Sequence, residues 1–150
     1  MSNYHYQLDL WAITLFVVVM VPNVIWGIYS APNDVLHVDS VTPITDIIGS
    51  ISQVLMLTSL MLLSRKDRPQ TMARKCKFTA IGMLVLYMGA WISHFFGYTP
   101  KSFIVAMAIL PCLFFGAFSI GRRNWLSLSF CLIFSICHIL FAIENYILNR

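Results

Sequence analysis

Charge is what this sequence has least of. Only 11% of its 150 residues are Asp, Glu, Lys or Arg, while 59% are hydrophobic. A soluble domain carries roughly 25% charge, distributed along every exposed face, so a water-soluble globular fold is excluded. The few charges collect between long apolar runs, a pattern that requires lipid as solvent. The net charge of +4 comes from short basic clusters and not from a basic stripe, which argues against nucleic acid as a partner. Residues 1–9 hold no Lys or Arg, and the apolar run behind them is too long for a signal core, so the first run reads as a retained span. No Gly follows Met1 and no Cys box closes the chain, so no lipid anchor is expected. The four cysteines, Cys76, Cys112, Cys131 and Cys137, form no CxxC. They read as apolar core thiols and not as a redox pair.

Five stretches reach the roughly 20 apolar residues that a spanning helix needs. They are 10–30, 44–64, 78–98, 102–121 and 124–147, and they predict an all-α integral membrane bundle of five transmembrane helices in one domain. Arg65, Lys66, Arg68, Arg74, Lys75 and Lys77 lie between the second and third spans, and Arg122 and Arg123 between the fourth and fifth. A five-span topology puts both clusters on one side. Basic loops stay in the cytoplasm, so the N-terminus is expected inside, the C-terminus outside, and the chain in the cell membrane as a multi-pass protein. The loop 31–43, with Asp34 and Asp39 and no base, fits outside. Gly121 reads as a helix-ending glycine in the tight turn before the fifth span. Gly89, Ser93 and Gly97 form a ladder of small residues suited to close helix approach. Pro22 and Pro111 interrupt the first and fourth spans.

Polar side chains in hydrocarbon cost free energy unless they find partners or water, and they mark functional candidates. At 1.5 Å of rise per residue, Asn23, His94 and His138 lie roughly 20, 24 and 21 Å above the cytoplasmic end. Gln53 lies roughly 14 Å below the outer end. Asp46, Glu144 and Asn145 sit above them. The faces also agree. Asn23, Trp26 and Ser30 align on the first span, Asp46, Gly49, Ser50 and Gln53 on the second. Tyr87, Trp91, His94 and Tyr98 align on the third, and Ser127, Cys131, His138 and Asn145 on the fifth. Convergence of these four faces predicts an outward-facing pocket lined by Asn23, Trp26, Asp46, Gln53, Trp91, His94, His138 and Asn145, with aromatic walls and few polar groups, as ligand sites usually have. The competing assignments are bland. Asn23 and Gln53 can serve as interhelical glue, Tyr98 as part of an interfacial belt, and Asp46 and Glu144 as solvated rim groups. His94 and His138 lie at heights that two-helix haem or metal ligation would allow. Neither has a second His or a Glu at ligand spacing, so no cofactor is expected. A proton-linked role for His138, with Asp46 or Glu144, is a further option.

Four stretches, Val21-Pro22-Asn23-Val24-Ile25-Trp26, Asp46-Ile47-Ile48-Gly49, Ala108-Ile109-Leu110-Pro111, and His138-Ile139 leading to Asn145-Tyr146, resemble a group of small polytopic membrane proteins of Gram-positive bacteria. The resemblance implies a shared small membrane fold and supplies no activity. Ser50 stands where that group often has Arg, and Glu144 where it often has Lys. Taken together, the residues favour a protein that binds or transports a small molecule or ion, with transport needing a homodimer or larger membrane partner. The alternative is an accessory subunit whose polar residues are helix glue. A third reading, an intramembrane enzyme, lacks any nucleophile motif.

Overall fold

All five expected spans are helices in the computed structural model, which describes residues 4–32, 34–65 and 70–148. They are α1 (Leu10–Ile28), α2 (Pro43–Leu62), α3 (Gln70–Phe95), α4 (Lys101–Gly121) and α5 (Trp125–Ile143), with a π-turn at Glu144–Leu148 after α5. Each is long and apolar enough to cross a membrane. Their ends follow local chemistry. Asp9 caps α1 by accepting the Ala12 amide at 3.0 Å, and Pro43 opens α2, where its missing amide costs nothing. α3 stops at Phe95, short of the expected residue 98, because Gly97 turns the chain with φ of 79°. α2 stops at Leu62 because Leu63–Arg65 (β2) pairs antiparallel with Tyr4–Tyr6 (β1), Tyr4 opposite Arg65. The sequence pattern gave no sign of this two-stranded ribbon.

α3 packs most closely on α4 and α2 on α5, with α4 against α5 between the two pairs; α1 leans on α2 and α3 more lightly. Met56, Leu60, Ile104 and Phe114 are fully buried at the centre. Round the outside, Val54, Val85, Leu132 and Ile136 are each more than half exposed, an apolar perimeter far larger than water tolerates. The perimeter hydroxyls fit lipid as well. Thr14, Thr79 and Ser129 each donate to the carbonyl four residues back, at 2.9, 3.2 and 3.0 Å, so none asks for water.

The described residues of both basic clusters, Arg65, Arg74, Lys75, Lys77, Arg122 and Arg123, lie at one end of the bundle. β1 meets β2 there, Asp9 is ion-paired with Arg122, and the Trp125 amide donates to the Tyr4 hydroxyl at 3.0 Å. Burial pushes the Arg122 guanidinium down to about 10, which leaves it charged at neutral pH opposite Asp9. Arg122 also lies over Phe118 at 4.4 Å and Lys77 over Trp11 at 4.8 Å. Lys66 and Arg68 fall outside the described residues.

Two glycine expectations change. The left-handed residue of the α4–α5 turn is Arg123, with φ of 52°, and not Gly121. Gly121 serves close approach instead, since a Cβ there would stand 2.7 Å from the Cβ of Cys76 on α3. Gly121→Ala is therefore expected to force α3 and α4 apart at a cost of about 1–3 kcal/mol, read as a lower melting temperature. Gly116→Ala serves as the control, because its Cβ would meet its nearest neighbour at 4.0 Å. The ladder of Gly89, Ser93 and Gly97 is not continuous: a Cβ on Gly89 would meet nothing within 4 Å, and Gly97 lies past the helix.

Candidate functional site

A central cavity of about 350 Å³ lies under the end of the bundle opposite the basic clusters. α1 contributes Asn23 and Trp26, α3 Tyr87 and Trp91, α4 Ile104, Met107 and Ala108, and α5 His138, Phe141 and Ala142, with Tyr146 beyond. Leu36 and Val38, from the loop joining α1 to α2, roof it. The helical spacing explains the aromatic wall: Tyr87 and Trp91 are one turn apart and meet edge to face at 6.3 Å. A second cavity of about 270 Å³ runs between α2 and α5, lined by Thr45, Asp46, Gly49, Ser50, Gln53, Phe134, Cys137, His138 and Phe141. His138 and Phe141 border both cavities.

The single pocket expected from sequence is thus divided. Asn23, Trp26, Trp91 and His138 line the central cavity, while Asp46 and Gln53 line the α2–α5 groove with His138. α4 supplies a wall of the central cavity that its apolar sequence did not announce, and α2 does not reach it. His94 and Asn145 line neither. His94 is fully buried, with Nδ1 2.8 Å from the Thr99 hydroxyl and Nε2 3.6 Å from Asp34. Asn145 is spent on structure. Its Oδ1 accepts the Val41 amide at 2.8 Å, and its Nδ2 donates to the Thr42 hydroxyl at 3.0 Å and to the Phe141 carbonyl at 2.9 Å. It ties the start of α2 to the end of α5. Asn23 does comparable work between α1 and α3, donating to the Tyr87 hydroxyl at 2.8 Å. Asp46 accepts from the Ser40 and Thr42 hydroxyls. Tyr98 is exposed beside Phe103, as a belt residue would be.

His138 differs from all of these. Its ring stacks on Phe134 at 5.0 Å, yet neither ring nitrogen bonds to another described residue. Gln53 is likewise without a hydrogen-bond partner among the described residues. The Trp91 indole N–H is buried without an acceptor. Unmet donors and acceptors at membrane depth are costly, and these three side chains border the two cavities.

Asp34, read from sequence as a loop acid facing water, is the residue that holds the roof. Its side chain is only 9% exposed. It accepts the Trp26 indole N–H at 2.8 Å and the Leu36 amide at 3.0 Å, with His94 at 3.6 Å and His37 at 3.8 Å. The available signal was the run Val35, Leu36 and Val38 beside it, apolar residues that a solvated loop would not need.

Among the described residues no group of three or more His, Cys, Asp or Glu side chains could hold a metal ion. Comparison with protein-family models, curated proteins and solved structures yields no match, so the site is interpreted from its own geometry.

Proposed function

We propose that this chain is a multi-pass protein of the cell membrane that binds a small molecule in the central aromatic cavity. The observation that carries the reading is His138, an intramembrane histidine with no hydrogen-bond partner among the described residues, set in the wall of a cavity of about 350 Å³. That volume is within the range of ligand sites, as is its lining of aromatic and aliphatic side chains with few polar groups. The reading includes no cofactor. Asn23, Trp26, Trp91 and His138 are the contact residues. His94 supports them from behind through Asp34, and Asn145 by fixing the helix ends. The purified chain, screened against small neutral and charged molecules, is expected to give a melting shift that His138→Ala removes. Shifts that survive His138→Ala unchanged for every molecule would count against the site.

The orientation belongs to the same proposal, with the end bearing both basic clusters in the cytoplasm. A reporter that fluoresces only in the cytoplasm is expected to be bright when fused after residue 9 and dark after residue 148; the reverse pattern overturns the orientation.

One observation favours the accessory reading, namely that Asn23 and Asn145 are engaged in bonds between elements, as glue would be. Co-purification with one larger membrane protein, and no melting shift from any small molecule, would decide for it.

A further inference from the structure

The polar groove between α2 and α5 lies next to the aromatic cavity, and His138 and Phe141 border both. The two compartments differ in chemistry. The central cavity presents Trp26, Tyr87, Trp91, Phe141 and Tyr146. The groove presents Thr45, Asp46, Ser50 and Gln53 from α2, with Cys137 and His138 opposite. Sequence periodicity places Asp46, Ser50 and Gln53 on one α2 face, and tight packing keeps that face against α5. A Cβ on Gly49 would stand 3.1 Å from the Cβ of Cys137. Two groups in the groove are unspent, since Gln53 and His138 have no hydrogen-bond partner among the described residues, and Asp46 already accepts from the Ser40 and Thr42 hydroxyls. No Lys or Arg lines either compartment, and the groove's one charged group is the Asp46 carboxylate.

We infer that the groove and the central cavity are two halves of one binding site for an amphipathic small molecule. Its apolar, aromatic-compatible body sits among Trp26, Tyr87 and Trp91, and its neutral or cationic hydrogen-bond-donating head sits against Gln53, Asp46 and His138. This rests on the cavity reading above and adds the ligand class. The acceptors at Gln53 Oε1, Asp46 and one His138 nitrogen receive donors, and aromatic faces favour a cation over an anion. A carboxylate head would be desolvated beside Asp46 with no cationic side chain to meet it.

Three probes with one body and different heads test it: 2-phenylethylamine, 2-phenylethanol and phenylacetate, with ethylbenzene as the body alone. The purified chain in lipid nanodiscs supplies two reporters. Trp26 and Trp91 report the central cavity through fluorescence, and Cys137 reports the groove through its rate of alkylation by N-ethylmaleimide, followed by peptide mass spectrometry. The amine and the alcohol are expected to change the fluorescence and, at about four times their dissociation constants, to slow Cys137 alkylation about fivefold. Ethylbenzene changes the fluorescence alone, and phenylacetate does neither. Gln53→Leu, or Gln53→Met should that variant fail to fold, is expected to lose the Cys137 protection and keep the ethylbenzene response. If all four probes change the fluorescence and none protects Cys137, the two-compartment site is wrong while the cavity stands. The same holds if phenylacetate protects Cys137 as well as the amine does. No fluorescence response to any probe would remove the cavity reading along with this one.

Discussion

Asn124→Ala is expected to cost about 2–4 kcal/mol. Asn124 is almost fully buried at the start of α5 and makes three bonds. Its Oδ1 accepts the Ser127 amide at 3.0 Å, which caps α5, a contribution of about 1 kcal/mol. Its Nδ2 donates to the Ser59 and Leu63 carbonyls, at 2.8 and 3.1 Å, at the C-terminal end of α2. The Ser59 carbonyl keeps the Leu63 amide that ends α2, whereas the Leu63 carbonyl lies past the helix, so removing the Asn124 amide leaves Leu63 short of a donor at about 1–3 kcal/mol before relaxation. Ser127 adds a second tie, with its hydroxyl 3.0 Å from Ser119 of α4 and 3.1 Å from the Met56 carbonyl of α2. Asn124→Asp separates the two roles. It keeps the capping oxygen and turns a second oxygen toward two carbonyls, so it is expected to be at least as damaging as alanine. A melting temperature near wild type for Asn124→Asp would show that capping alone matters.

The second large effect falls on the roof. Asp34→Ala removes the acceptor for the Trp26 indole and for the Leu36 amide, a loss of about 2–4 kcal/mol from two orphaned donors. For a chain of this size that is a fall of roughly 5–12 °C in melting temperature. The change also reaches the cavity. With the loop untied, Leu36 and Val38 lift from the space lined by Trp26 and Trp91, and iodide is expected to quench tryptophan fluorescence more strongly than in wild type. Asp34→Asn keeps one acceptor and should lose about half as much stability. Equal quenching in Asp34→Ala and wild type would show that Asp34 does not hold the roof.

The five spans were readable because hydropathy over twenty residues is a property of each segment by itself. The shared end for the basic clusters was readable for the same reason, since span count alone fixes which loops lie together. The site was readable only in part. Depth and helical phase placed Asn23, Trp91 and His138 at similar heights on inward faces, and the structure brings all three to one cavity. Phase does not say which neighbour a face will meet. The α2 face with Asp46 and Gln53 turned to α5 alone, and apolar α4 took its place in the cavity wall. Asn124 was missed because its partner Ser59 lies far along the chain, and Asp34 because its bonds to Trp26 and Leu36 are made from a loop, where no helical period applies. Gly121 was assigned to the right turn with the wrong task, since a close approach and a left-handed conformation both select glycine.

Filling the cavity tests its binding role most directly. Ala108 is buried in α4 and lines the central space, so Ala108→Phe places a ring in the volume assigned to the ligand. With the small molecule that shifts the wild-type melting temperature most, the binding account predicts that Ala108→Phe folds, melts near or above wild type, and shows no ligand-induced shift. A folded Ala108→Phe that retains the full shift would contradict it.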